Sequence, residues 1–170
     1  MIGLDKEKNG LKSFLLNPDI RVIFVCGETG SGKTILTNEV ISDVKYMKMV
    51  YDAEKKMIFN KLIEDIRKSY QCRYFFRLVY VFDDVENFMN DKKELEKLCQ
   101  QFPAVKIICM VSFYLCKKLS EKLNVNFQIL NMPKVTCEVL QLILNKTKIS
   151  QSLEVCEQII LESNNDVRQM

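Results

Sequence analysis

The chain contains no histidine, and none of its seven cysteines, at 26, 72, 99, 109, 116, 137 and 156, forms a C-x-x-C pair. Both absences speak against a conventional zinc site, whose ligands come at such spacings. Several of the cysteines stand inside apolar runs, where a free thiol behaves as a small hydrophobe, so the chain reads as reduced and intracellular. No secretory leader and no run of eighteen apolar residues is present, so neither export by a visible signal nor a membrane-spanning helix is expected. Arginine is scarce, standing at 21, 67, 73, 77 and 168 with none from 78 to 167. Arginine stabilises charge on a transferring phosphoryl group, and a nucleotide kinase carries several in its lid, so the gap counts against that activity. Repeats, low-complexity tracts and linkers are missing too. What remains is globular: 170 residues, 48% hydrophobic and 28% charged, predict one domain with a real core. A net charge of +3 permits nucleic-acid contact without indicating it.

Against this background one stretch stands out, Gly27-Glu28-Thr29-Gly30-Ser31-Gly32-Lys33-Thr34. It has two glycines five apart, then a lysine and a hydroxyl residue, the pattern of a phosphate-binding loop. Gly27, Gly30 and Gly32 let the backbone turn tightly and bring its N–H groups to phosphate oxygens. Lys33 is placed to set a point charge between the outer phosphates, and the Thr34 hydroxyl to ligate Mg²⁺. Val22-Ile23-Phe24-Val25-Cys26 before it suits a buried parallel strand. After it, Leu36, Val40 and Val44 recur at helical spacing, with Ile41 beside them. A strand passing through a glycine loop into a helix N-terminus is an anion site by backbone geometry and dipole. Gly27 to Thr34 are therefore the candidate nucleotide ligands.

The rest of the chain alternates strands and helices. A short helix is predicted before Asn17-Pro18-Asp19, because proline disfavours helix in the residue preceding it. Met47 to Tyr51 reads as a second strand, and Ala53 to Ser69 as an amphipathic helix with Met57, Ile58, Leu62, Ile63 and Ile66 on its apolar stripe. The lysines at 55, 56, 61 and 68 make its solvated face. Gln71 to Arg77 connects to a third strand, Leu78 to Phe82. A charged helix follows to about Gln101, with Leu95, Leu98 and Cys99 inward. A fourth strand runs from Val105 to Val111, a short helix around Leu115–Leu123, a fifth strand near Phe127–Leu130, and helices near 135–146 and 152–162. Such alternation predicts a parallel sheet covered on both faces.

The third strand ends in Asp83-Asp84. Asp83 can hold Mg²⁺ through water at the strand's carboxyl end, where open α/β sheets bind ligands. The second position commonly polarises attacking water, and here Asp84 is one methylene shorter than glutamate. An atom misplaced by about 1 Å can cost roughly a hundredfold in rate, so weak hydrolysis is expected. Ser112, ending the fourth strand, is either a group that reaches the terminal phosphate or ordinary strand-end polarity. Arg168 is either an exposed terminal arginine or one that folds back towards the nucleotide.

The order of phosphate loop, Asp83-Asp84 strand, Ser112 strand and terminal Asp166-Val167-Arg168 resembles the AAA+ ATPases over nearly the whole chain. The resemblance implies an α/β P-loop NTPase fold of AAA+ type, a three-layer sandwich with a five-stranded parallel sheet. It also implies ATP and Mg²⁺ as cofactors, with Asp84, Ser112 and Arg168 acting on the terminal phosphate and Thr34 and Asp83 on the metal. Within that class the chain is most similar to the origin recognition complex family, and within it to the fifth subunit. Phe24 to Thr34, Met49-Val50-Tyr51-Asp52 with Ile58 to Ile63, and Val81 to Phe88 carry that similarity. So do Ile107 to Ser112 and Leu130-Asn131-Met132-Pro133 leading into Val139 to Leu144. The large subunit of replication factor C comes second, on Asn164 to Met170 and Ile107 to Met110. A third resemblance is to signalling NTPases, whose strand also often ends Leu-Asp-Asp-Val.

Under this resemblance residues 1–170 form one nucleotide-binding domain. Residues 1–20 make an N-terminal helix, 21–132 the P-loop core and 133–170 the start of a helical lid that is otherwise absent or truncated. The implied role is an ATP-binding subunit of a nuclear replication-initiation complex, in which ATP stabilises subunit interfaces. Its implied partners are other AAA+ subunits in a hetero-oligomer, with DNA reached through the assembled complex and no membrane. The missing arginines leave the chain able to receive a neighbour's arginine but not to donate one. A clamp-loader-type ATPase and a signalling-type NTPase are the alternatives.

Overall fold

The computed structural model describes residues 3–44, 46–51, 63–64, 66–68, 78–83, 85, 92–103, 105–121, 123–134, 136–146 and 151–163. Five strands, β1 (Val22–Cys26), β2 (Met47–Tyr51), β3 (Leu78–Phe82), β4 (Lys106–Val111) and β5 (Phe127–Asn131), form one sheet in the order β2-β3-β4-β1-β5. Every pairing is parallel, with Val22 opposite both Ile107 and Phe127. The expected five-stranded parallel sheet is therefore present.

Parallel strands need crossovers, and the crossovers cover both faces. Six helices are described: α1 (Asp5–Leu16), α2 (Lys33–Asp43), α3 (Lys92–Gln101), α4 (Phe113–Ser120), α5 (Cys137–Lys146) and α6 (Leu153–Glu162). Residues 63–64 and 66–68 are helical as well, and Ile63 and Ile66 are buried as the amphipathic stripe predicts. The rest of that predicted helix, with Lys55, Lys56 and Lys61, lies outside the described residues.

Side chains alternate across each strand, so one strand feeds two cores. Val22, Phe24 and Cys26 join Tyr80, Phe82, Ile107, Cys109 and Val111 beneath Leu95, Leu98, Leu115 and Leu119. Ile23 and Val25 join Val79, Val81, Ile108 and Met110 on the opposite face, under Leu11, Phe14 and Leu15 of α1 and Leu36, Val40 and Ile41 of α2. This is a three-layer sandwich with β1 paired on both sides, between β4 and the edge strand β5. The apolar runs have no alternating pattern because both faces of the sheet are buried.

Two boundaries depart from expectation, each for a local reason. α4 begins at Phe113, two residues before the predicted Leu115, because the Ser112 hydroxyl accepts the Leu115 N–H at 3.4 Å and caps the helix. β4 opens on Lys106, which is buried despite its charge. Its ammonium donates to the carbonyls of Phe14, Asn17 and Ile20, at the end of α1 and just beyond.

Candidate phosphate-binding site

Because all five strands are parallel, residues that leave them meet at one edge of the sheet. Gly27 leaves β1, Ser112 leaves β4 and Asp83 leaves β3 at that edge, with β4 standing between the other two strands. The chain order turns back at β1, whose neighbours β4 and β5 come from later in the sequence. Open α/β sheets bind ligands at this kind of crevice.

The loop itself is tightly held. The Gly27 N–H donates to the Val111 carbonyl at 3.2 Å, carrying the β1–β4 ladder one step further, and the Cys26 carbonyl accepts the Met132 N–H at 2.7 Å. Gly27 has no room for a side chain, since a Cβ there would lie 2.7 Å from Ser31 Oγ and 2.9 Å from Met132 Cβ. Gly30 and Gly32 have φ of 79° and 87°, which glycine adopts without strain. Gly32 is the N-cap of α2, and no side chain caps that helix. Its first turn thus presents amide N–H groups with the positive end of the dipole, the arrangement that receives an anion.

Polar side chains converge on the same place. Lys33 Nζ donates to the carbonyls of Gly27 and Glu28, each at 2.8 Å, and so lies across the loop. The Thr34 hydroxyl donates to Asp83 Oδ2 at 3.0 Å and lies 3.7 Å from Met110 Sδ. Ser31 Oγ is buried with no hydrogen-bond partner among the described residues. Glu28 and Thr29 are exposed at the tip.

Below the loop, burial and neighbouring sulfur control the thiols. Cys26 is pushed up by a hydrogen bond to Cys116 and by burial, while Cys116 is lowered by the same bond. Burial also pushes Cys109 up. The raised thiols, Cys26 and Cys109, stay protonated and pack as hydrophobes.

A phosphate chain with Mg²⁺ fits these residues. The orphaned Ser31 hydroxyl lacks an acceptor, Gly27 keeps the cradle clear of side-chain atoms, and Thr34 with Asp83 forms a hydroxyl–carboxylate pair of the sort hard cations use. The structure brings Gly27 to Thr34 and Asp83 together. Ser112 stands at the same edge, exposed and committed to capping α4. Asp84 and Arg168 lie outside the described residues. Met132 and Met110 were not foreseen as parts of the site. Met132 reaches it from just past the end of β5, and only the strand order shows that Met110 would lie beside Thr34.

The NB-ARC domain family model matches residues 4–67, the span from α1 through the loop and α2 to beyond β2. Among solved structures, the chain is similar to the RuvB Holliday junction branch migration motor of Thermotoga maritima, with a TM-score of 0.65 at 16% identity. That likeness covers 99% of this chain and 59% of the RuvB chain, so the chain spans somewhat over half of that structure. None of the curated proteins compared with the chain matches it. Fold and loop together make an α/β three-layer domain with a parallel sheet and a phosphate-loop motif, the fold shared with that RuvB structure. Within that class, the family match at the N-terminal third is to NB-ARC.

Proposed function

We propose that this chain binds ATP with Mg²⁺ and uses the bound nucleotide to stabilise an interface with other subunits. The Thr34–Asp83 hydrogen bond beside an uncapped α2 N-terminus carries this reading. Residues 27–34 hold the phosphates, with Lys33 supplying the positive charge. Thr34 and Asp83 hold the metal, and bound Mg²⁺ neutralises charge between the outer phosphates. Asp84 orients water poorly, one methylene short of a glutamate, so turnover by the isolated chain is slow. Arg168 completes the charge around the terminal phosphate, and Ser112, whose oxygen caps α4, can donate its hydroxyl hydrogen to it.

The assembly proposed is a hetero-oligomer of AAA+ subunits, as in the origin recognition complex family, acting in the nucleus and meeting DNA through the complex. What supports it is the resemblance of the loop, Asp83-Asp84 and Ser112 strands, together with the shortage of arginine to donate to a neighbour. The chain alone is then a monomer or weak dimer, and ATP tightens its hold on a partner. A clamp-loader-type ATPase is the nearest variant, and rapid hydrolysis by the purified chain would favour it. A signalling-type NTPase is the second reading, favoured by the NB-ARC match over residues 4–67. Identifying the subunits that co-purify from the native source separates these readings.

The founding test is a thermal melt. A hundredfold excess of ATP over its Kd stabilises by about 2.7 kcal/mol, which raises the melting temperature. Lys33→Ala removes most of that rise. An unchanged melt of folded protein in millimolar Mg-ATP would end the proposal.

A further inference from the structure

At the opposite edge of the sheet from the loop, where β1 and β4 begin, lies a cavity of about 350 Å³. This volume falls at the lower end of ordinary ligand pockets. Leu16 at the end of α1, Pro18 beyond it, Tyr46 after α2 and Pro103 before β4 form apolar walls, while Arg21 and Lys106 bring two cations to it. Among the described residues no acidic side chain lines the cavity.

The two cations are held differently. Lys106 is 8% exposed and its ammonium, 4.9 Å from the Phe14 ring centroid, spends its donors on three backbone carbonyls. Those carbonyls satisfy its hydrogen bonds but leave its charge unneutralised. Burial first, and the Arg21 charge second, hold its pKa below the ordinary lysine value, against a weaker pull from the exposed Asp19. Arg21 donates from Nη1 to the Cys99 carbonyl at 2.8 Å, and its other guanidinium N–H groups have no partner among the described residues. A buried charge without a counter-charge is costly, and a guanidinium with donors to spare is shaped for a carboxylate.

We propose that this cavity binds a small amphiphilic anion, a carboxylate on a short apolar body. Arg21 supplies its hydrogen bonds, Lys106 its buried counter-charge, and Leu16, Pro18 and Pro103 the surface for the chain. The Tyr46 hydroxyl, tied to the Leu15 carbonyl at 2.8 Å, fixes one wall. The site is separate from the phosphate loop and does not depend on nucleotide binding.

Amide correlation spectra of the full chain, titrated with octanoate, 1-octanol and inorganic phosphate, test it. Octanoate should shift the Tyr46 and Val105 amides saturably in the millimolar range. The alcohol and inorganic phosphate should each bind at least about tenfold more weakly, because each lacks half of the recognition. Arg21→Gln should weaken octanoate by about tenfold or more, and Lys106→Met should weaken it in the same direction. Lys33→Ala should leave octanoate binding unchanged, which separates this site from the nucleotide. Equal binding of octanol and octanoate would reduce the cavity to an apolar hole. Equal binding of phosphate would remove the role of the apolar walls. Unaltered octanoate binding by Arg21→Gln, or none to the wild type, would overturn the proposal outright. Should either variant fail to fold, the wild-type comparison of acid with alcohol decides alone.

Discussion

The hydroxyl of Thr34 donates to the carboxylate of Asp83 at 3.0 Å, joining the first turn of α2 to the end of β3 across an intervening strand. Thr34 is exposed and Asp83 half-buried, so the pair can receive a solvated cation. Asp83→Asn should keep the geometry but lose the charge. The expected result is a loss of about ten- to a hundredfold in the Mg²⁺ enhancement of ATP binding, with metal-free binding little changed. Titration of a fluorescent ATP analogue, with Mg²⁺ and with chelator, measures both. An enhancement that survives Asp83→Asn would remove Asp83 from the metal site.

Gly27 is the loop position with the least room. In Gly27→Ala the new methyl meets Ser31 Oγ and Met132 Cβ inside van der Waals contact; the serine hydroxyl can rotate about χ1, but Met132 Cβ cannot retreat without moving backbone. Destabilisation of about 1–3 kcal/mol is expected, as for overpacking generally. The urea midpoint should fall even without nucleotide. A midpoint equal to wild type would show that the loop relaxes freely.

α1 is clipped to α2 by charge. Lys8 bridges Glu39 and Asp43, and Lys12 reaches Asp43 at 2.9 Å. Hydrogen bonds from Lys8 hold Glu39 below the usual carboxylate range, those from Lys12 do the same for Asp43, and the Glu39 bond raises Lys8. The carboxylates' contribution is therefore present above their ordinary range and lost as pH falls through their lowered values. That of Lys8 is present below the ordinary lysine range and lost as pH climbs through its raised value. The stability difference between wild type and Glu39→Gln should be flat from about pH 5 to 8 and vanish in acid. High salt should shrink it at neutral pH, since these side chains face solvent. A difference that persists in acid would assign the effect of Glu39 to packing.

Much of this domain was legible from local pattern. Gly27 to Thr34 announces its turn and the helix after it, and Val22 to Cys26 and Leu78 to Phe82 announce buried strands. What local pattern cannot carry is who sits beside whom. Asp83 reaches Thr34 because β4 separates β3 from β1 in the sheet, an order set by long-range packing. Ser112 ends a strand at the site's edge, and its hydroxyl also accepts the Leu115 N–H to cap α4, a role that strand-end position alone does not reveal. Lys106 was invisible for another reason. A single lysine in an apolar strand signals an exposed edge, and only the arrival of α1's last carbonyls makes its burial tolerable.

The place of β1 between two strands made later also dictates when the domain can close. Val22 is made early, but its two partners, Ile107 and Phe127, leave the ribosome only after most of the chain. Until then the strand that carries the loop has open backbone on both sides, a template for pairing with other chains. Such late, non-local closure makes folding slow and leaves the nascent chain exposed to aggregation. Any fragment ending before Phe127 keeps that edge bare, so the loop with its first helix is not a unit that can be cut out and expected to stand by itself.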